Sequence, residues 1–277
     1  MNPPGRQDHL LWDQVFCVGR VFRGQGRFDD ARKCFETCLD TAGLSQPKHF
    51  LIVSALANLY CELEYQSAET RFLSQASGLL EPEIQRLRLG RGHYKRGFRR
   101  LLLSLVEVRL RQGLIDDAHN LIWELLAIYA EVKEPNVIDR LGHVRSLIAL
   151  ARVSPNPETA LRGWMDVLAW NKFYNPEEQE VFTCGVVHLF LCITWHEIGN
   201  IEESTQSFYR ALDVFSKKHP QFLIPGIGTY LFHDVSRQVQ VLVHAGDLEF
   251  GNSVSPPTPA EFRTTVDEYN QRSAQAK

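Results

Sequence analysis

The chain has 277 residues, 44% hydrophobic, 10% aromatic and 23% charged, the usage of an ordinary folded protein and not of a disordered tail, a collagen-like repeat or a membrane bundle. Thirty Lys+Arg against 33 Asp+Glu leave a net charge of -3, without the bulk basic signature of a nucleic-acid binder. No stretch approaches the ~18 apolar residues of a membrane span, the opening lacks the apolar core of a signal peptide, and the six cysteines sit in apolar, helix-like stretches where thiols stay reduced, so a cytoplasmic or nuclear location is expected.

In chain order, thirteen prolines leave long uninterrupted runs, among them 5–46, 48–81, 83–134 and 177–219, each long enough for a helix, a turn and a second helix. The prolines therefore read as punctuation between helix pairs. The first run places Leu11, Val15, Val18, Val21 and Phe22 at helical spacing, and Phe35, Cys38 and Leu39 continue the pattern beyond Gly26. Leu56–Leu80 forms a second pair. The third follows an acid-free stretch and runs through Leu101, Leu102, Leu105, Val106, Val108 and Leu110. Leu141–Trp170 is the fourth, with Ser154-Pro-Asn-Pro157 at its turn. Alternating strand-like segments are absent, so the fold class is all-α. The predicted pairs occupy roughly 10–45, 49–82, 94–132, 138–172 and 178–220. A capping helix is expected at 227–246, a Pro-rich linker at 247–260 and a polar tail, frayed or disordered, at 261–277.

One motif occurs three times: Gly26-Arg-Phe-Asp-Asp-Ala31, Gly113-Leu-Ile-Asp-Asp-Ala118 and Gly199-Asn-Ile-Glu-Glu-Ser204. Glycine supplies the left-handed residue that ends one helix. The acid pair falls in the first turn of the next, where it complements the positive helix end. The small residue lets the paired helix come close, and Phe35, Ile122 and Phe208 follow at a fixed offset.

In order, Gly19, Phe22, Gly26, Ala31, Phe35 and Cys38 resemble the signature positions of a tetratricopeptide repeat (TPR), and Cys192, Trp195, Gly199, Phe208, Ala211 and Pro220 are similar. The three glycines lie 87 and 86 residues apart, which suits units of about 43 residues and not the usual 34. Such elongated repeats resemble those of kinesin light chains and of fungal NLR-type arrays. The resemblance implies a right-handed superhelical solenoid of about five antiparallel helix pairs over residues 8–246, closed by the capping helix. It also implies a concave groove lined by the first helix of each pair, through Phe16, Arg20, Arg23, Asn58, Glu62, Arg100, Glu107, Arg111, Arg145, Arg152, His196 and Glu197. The family's carboxylate clamp is not expected, because Phe16, Arg20 and Ala55 stand where its Lys and two Asn belong.

An arginine-rich groove suits another protein, held through an acidic segment, in a non-catalytic adaptor without cofactor. The rival expectation is an enzyme or accessory protein of a biosynthetic pathway whose array encloses a small-molecule pocket near the histidines and Trp195; a third is a regulatory array serving a switch on another chain. The stretch from Gln85 to Arg100 holds seven positive charges and no acid. It reads either as a solvated connector or as an anion patch of Arg88, Arg91, Lys95 and Arg99. Cys184, His188, Cys192 and His196, four apart, have zinc-like spacing, but four-residue steps drift around the helix and core packing is the preferred reading. The Asp-Asp pairs lack the further acid that a terpene-cyclase magnesium site needs, and no phosphate loop, nucleophile elbow or HExxH occurs. The oligomeric state stays open.

Overall fold

The computed structural model describes residues 5–41, 44–89, 95–174 and 181–216, together with 238, 239 and 242. Among them ten α-helices and no strand occur: α1 (Gly5–Gly24), α2 (Phe28–Leu39), α3 (Gln46–Ser67), α4 (Arg71–Leu89), α5 (Lys95–Arg111), α6 (Ile115–Ala130), α7 (Val137–Arg152), α8 (Pro157–Tyr174), α9 (Val181–Ile198) and α10 (Ile201–Ser216). The fold is all-α. The predicted linker at 247–260, the tail and most of the capping helix at 227–246 lie outside the described residues.

The glycine turns follow from backbone chemistry. Gly26, Gly113 and Gly199 have φ of 74, 72 and 84°, the left-handed region that costs an L side chain. Each makes the same pair of bonds, a Schellman turn. Gly26 donates to the Arg23 carbonyl and Arg27 to that of Phe22; Gly113 and Leu114 do so to Leu110 and Arg109, and Gly199 and Asn200 to His196 and Trp195. The next helix then starts at once, with Asp29 and Asp30, Asp116 and Asp117, or Glu202 and Glu203 in its first turn.

The second and fourth turns reach the same end with other residues. Ala68 stands where glycine was missing and itself adopts φ 56°, its N–H bonded to the Glu64 carbonyl at 2.7 Å. At the fourth, Pro157 opens α8, where a missing N–H costs nothing, and the Asn156 side chain accepts from the Thr159 N–H at 2.8 Å. Pro82 corrects the expectation of a break: α4 continues through it to Leu89. Its ring faces the carbonyl of Gly78, an exposed residue, so the freed carbonyl is left to water. Arg86 and Arg88 are therefore helical and do not belong to a connector.

By internal contacts the chain divides into two compact units, Met1–Ala149 and Leu150–Lys277, the boundary falling inside α7. In the first unit α1 packs on α2, α3 on α4 and α5 on α6, while α3 also meets α2 and α5. That surrounds α3, which explains why Ile52, Val53, Leu56, Ala57, Leu59, Tyr60 and Leu63 are all buried around its circumference. Close approach is set by small residues: a side chain on Gly19 would lie 2.7 Å from the Phe35 ring, and one on Gly97 would lie 2.4 Å from that of Phe50. In the second unit α9 packs on both α8 and α10 and is apolar all round. Trp164 of α8 stacks on Phe190 of α9 with centroids 4.4 Å apart, and Ala211 and Phe208 of α10 are fully buried.

Candidate functional site

The first helices of successive pairs in the first unit are joined by polar side chains. Arg23 of α1 grips Glu62 of α3 through two bonds, Nε to Oε2 at 2.9 Å and Nη2 to Oε1 at 2.7 Å, with both side chains only 7–8% exposed. Two residues along α3, Glu64 accepts from Arg111 of α5 at 3.1 Å, and the Arg111 guanidinium lies 5.3 Å from the Tyr65 ring. Ser54 of α3 and Ser104 of α5 share a hydrogen bond of 2.9 Å. Arg99 of α5 reaches Asp139 of α7, again with both side chains buried. Glu107 is 3% exposed, and burial together with its charge pushes the neighbouring Cys61 thiol well up. This ladder determines the register of α1, α3, α5 and α7.

Three of the predicted groove residues, Arg23, Glu62 and Arg111, thus belong to this network, with each of the two arginines held by a carboxylate of the same unit, and a fourth, Glu107, is buried beside Cys61. Phe16 is also inside: it is 7% exposed, stacked on Trp12 at 5.1 Å and tilted onto Phe35 at 5.3 Å. Sequence spacing finds the face of the helix on which these residues lie, but not their depth. Arg20 is exposed, and Asn58, Arg100 and Arg145 are half-buried. Arg152, which ends α7, and His196, in the last turn of α9, are half-buried in the second unit.

Arg99 of α5 and His143 of α7 meet the ring of Tyr129 of α6, the Arg99 guanidinium 5.3 Å from its centroid and the His143 ring at 5.7 Å. The Tyr129 hydroxyl rests on Gly142 so closely that a Cβ there would come within 1.9 Å of it. Burial raises the Tyr129 hydroxyl to about 12 against the opposing pull of Arg99, with Asp139 adding to the rise and Arg145 and Arg100 working against it, so the group is a proton donor at neutral pH. Burial lowers His143, which is therefore neutral there. Arg100 is pulled down by burial and by Arg96, one helical turn before it. Neither Arg96 nor Arg100 has a carboxylate within ion-pair distance among the described residues. Arg96 and Tyr129 were missed from sequence; the first sits in the acid-free stretch and could have been included, whereas nothing in one dimension places Tyr129 beside Arg99.

The predicted anion patch is dispersed. Arg88 is bound to Glu124 of α6, Arg99 is committed to Asp139, and the residue between them in the run, Arg91, lies outside the described residues together with the side chain of Lys95. A cleft of about 560 Å³ opens between α4, α5 and α6, lined by Glu81, Arg88, Arg109, Asp117 and Asn120 among others. Its arginines are already paired, Arg109 with Glu81 and Arg88 with Glu124. The zinc-like residues of α9 point to different neighbours. Cys184 accepts from the Asn171 amide of α8 at 3.1 Å, and Cys192 lies 3.4 Å from the Ser204 hydroxyl of α10, with burial raising its thiol to about 11. His188 is lowered to about 4 by burial and by Arg210. Among the described residues no three His, Cys, Asp or Glu side chains lie close enough together to hold a metal ion, and no helix is long and apolar enough to cross a membrane.

No protein-family model matches the sequence, and no curated protein is similar to it at a significant level. Among solved structures the chain is similar to BtubC (BKLC) from P. vanneervenii, at 15% identity over 92% of this chain and 92% of that chain, with a TM-score of 0.49.

Proposed function

We propose that this chain is a non-catalytic interaction adaptor, built of TPR-like antiparallel helix pairs in a right-handed solenoid, that holds an acidic segment of another protein against its arginine-bearing first helices. What supports this reading is the sorting of the arginines in the first unit. Arg23, Arg99 and Arg111 are buried and each is neutralised by a carboxylate, while Arg20, Arg96 and Arg100 lie further out with no such partner among the described residues. Paired arginines set the helices; unpaired ones are left to attract an anionic ligand, whose approach they steer.

The test is capture of partners from a cell lysate by the full chain and by the variant Arg20→Gln/Arg100→Gln, each at two salt concentrations. The reading requires polypeptides that are retained by the wild type, released by raised salt and lost from the double variant. Equal retention by both proteins refutes it.

A further inference from the structure

We propose that the cleft between α4, α5 and α6 is a binding site for a small organic ammonium ion, a positive nitrogen on an apolar body. The site lies within the first unit and does not depend on the adaptor reading. It is built around one side chain. Arg109 of α5 is fixed by four neighbours: Nη1 donates to the Ser77 hydroxyl at 3.1 Å and to Gln112 Oε1 at 2.7 Å, Nη2 donates to Glu81 Oε1 of α4 at 2.5 Å, and Nε lies 3.7 Å from Asp117 Oδ2 of α6. Carboxylates from two helices thus converge on a single guanidinium, which balances only one of their two negative charges. The other cation of the cleft, Arg88, does not make up the difference, because Glu124 takes it through bonds of 3.3 and 2.5 Å. The Asp117 carboxylate accepts no hydrogen bond among the described residues. The cleft therefore holds one negative charge in surplus, at the place where α4 and α6 both reach Arg109.

Size and lining fit a small molecule. The volume of about 560 Å³ falls within the ~300–1,000 Å³ usual for such sites. The buried Ile84 and Leu105, with the half-buried Leu121, give the cleft apolar surface. An ammonium group between Glu81 and Asp117 meets the surplus charge and donates to both carboxylates, and Asn120, one turn along α6 from Asp117, offers a further carbonyl acceptor. The apolar body of the ligand then covers Leu105 and Leu121. Other ligands fit less well. An anion finds both arginines of the cleft engaged by carboxylates. A divalent metal finds Arg109 in contact with both acids, and no group of three metal-binding side chains occurs among the described residues.

The experiment is a saturation-transfer NMR titration of the full chain at neutral pH with benzylamine, a cation there, and with benzyl alcohol and benzoate as controls of the same shape. Benzylamine should saturate with a dissociation constant below about 10 mM, and bind at least about fivefold more tightly than either control. Asp117→Asn and Glu81→Gln should each weaken it about fivefold, whereas Asp116→Asn, which removes the neighbouring acid outside the cleft lining, should change it less than about twofold. Asn120→Arg leaves both acids in place, brings an internal cation to the cleft and should abolish the saturation. Absence of saturation, benzyl alcohol bound as tightly as benzylamine, or equal losses in the Asp116 and Asp117 variants overturns the inference. A lysine peptide, acetyl-Ala-Lys-Ala-amide, that binds at least about tenfold more tightly than benzylamine overturns the small-ligand assignment and gives the cleft to a protein segment.

Discussion

Removing one partner of the buried Arg23–Glu62 pair should be among the most damaging single-charge deletions in the first unit. The pair is linked by two hydrogen bonds of 2.9 and 2.7 Å and is more than nine-tenths buried on both sides. At an effective dielectric of about 20, unit charges about 4 Å apart attract by roughly 4 kcal/mol, and a similar sum is needed to strip both of water. The intact pair is therefore near neutral in net stability, but each half alone is not. Arg23→Met leaves a buried Glu62 carboxylate uncompensated and should cost about 3–5 kcal/mol, with Glu62→Met similar. The double variant Arg23→Met/Glu62→Met removes both charges and fills much the same volume, and should fall within about 2 kcal/mol of the wild type. Urea unfolding followed by helical circular dichroism, run as a double-mutant cycle, measures the coupling. Single variants that lose less than about 1 kcal/mol, or a double variant as unstable as the sum of the two, would refute the claim that this pair sets the α1–α3 contact.

Three further changes test the turns and the second unit. Ala68→Gly should stabilise by about 0.5–1 kcal/mol, since alanine at φ 56° pays a left-handed penalty that glycine does not, and a lower unfolding midpoint would contradict the turn geometry. Gly113→Ala should destabilise by about 1 kcal/mol for the opposite reason; no atom lies within 4 Å of the added Cβ, so the cost is purely conformational, and an unchanged midpoint would show that the turn relaxes. For His188 the folded value of about 4 lies below the ordinary 6.5, so the fold prefers the neutral ring. Its contribution is full above pH 6.5 and is lost as pH falls from 6.5 towards 4. His188→Gln should therefore narrow its stability gap to the wild type between pH 7.5 and 5, and parallel acid slopes for the two proteins would count against it.

Much of the local structure was legible because it depends on neighbours in sequence. The glycine, the two acids and the small residue of the threefold motif each act within one turn of themselves, and the Schellman bonds at Gly26, Gly113 and Gly199 are the physical content of that pattern. Ala68 was not legible as a turn residue, since its left-handed backbone is imposed by packing of α3 and α4 against propensity. Pro82 misled for a related reason: a proline in a surface position of a well-packed helix costs less than the loss of the last two turns of α4, whose Ile84 is fully buried. The site was half legible. Helical spacing put Arg23, Glu62, Glu107 and Arg111 on one face, but pairs 39 and 47 residues apart, Arg23–Glu62 and Glu64–Arg111, are decided by how helices stack. Tyr129 and Asp139 join the site only through that stacking.

The distinction between paired and unpaired arginines also shows how a near-neutral chain would carry the charged binding face proposed above. A buried ion pair is weak evidence for stability but strong evidence for register, because only one alignment of α1 with α3, or of α5 with α7, satisfies both charges. Glu62, Glu64 and Asp139 are consumed in this way. Arg20, Arg96 and Arg100 have no carboxylate within ion-pair distance among the described residues, and acid pairs stand in the first turns of α2, α6 and α10. The near-neutral total thus covers an uneven local distribution of charge. A variant such as Arg23→Met would therefore act on both levels at once, freeing a carboxylate on α3 and lowering the positive potential along the row of first helices.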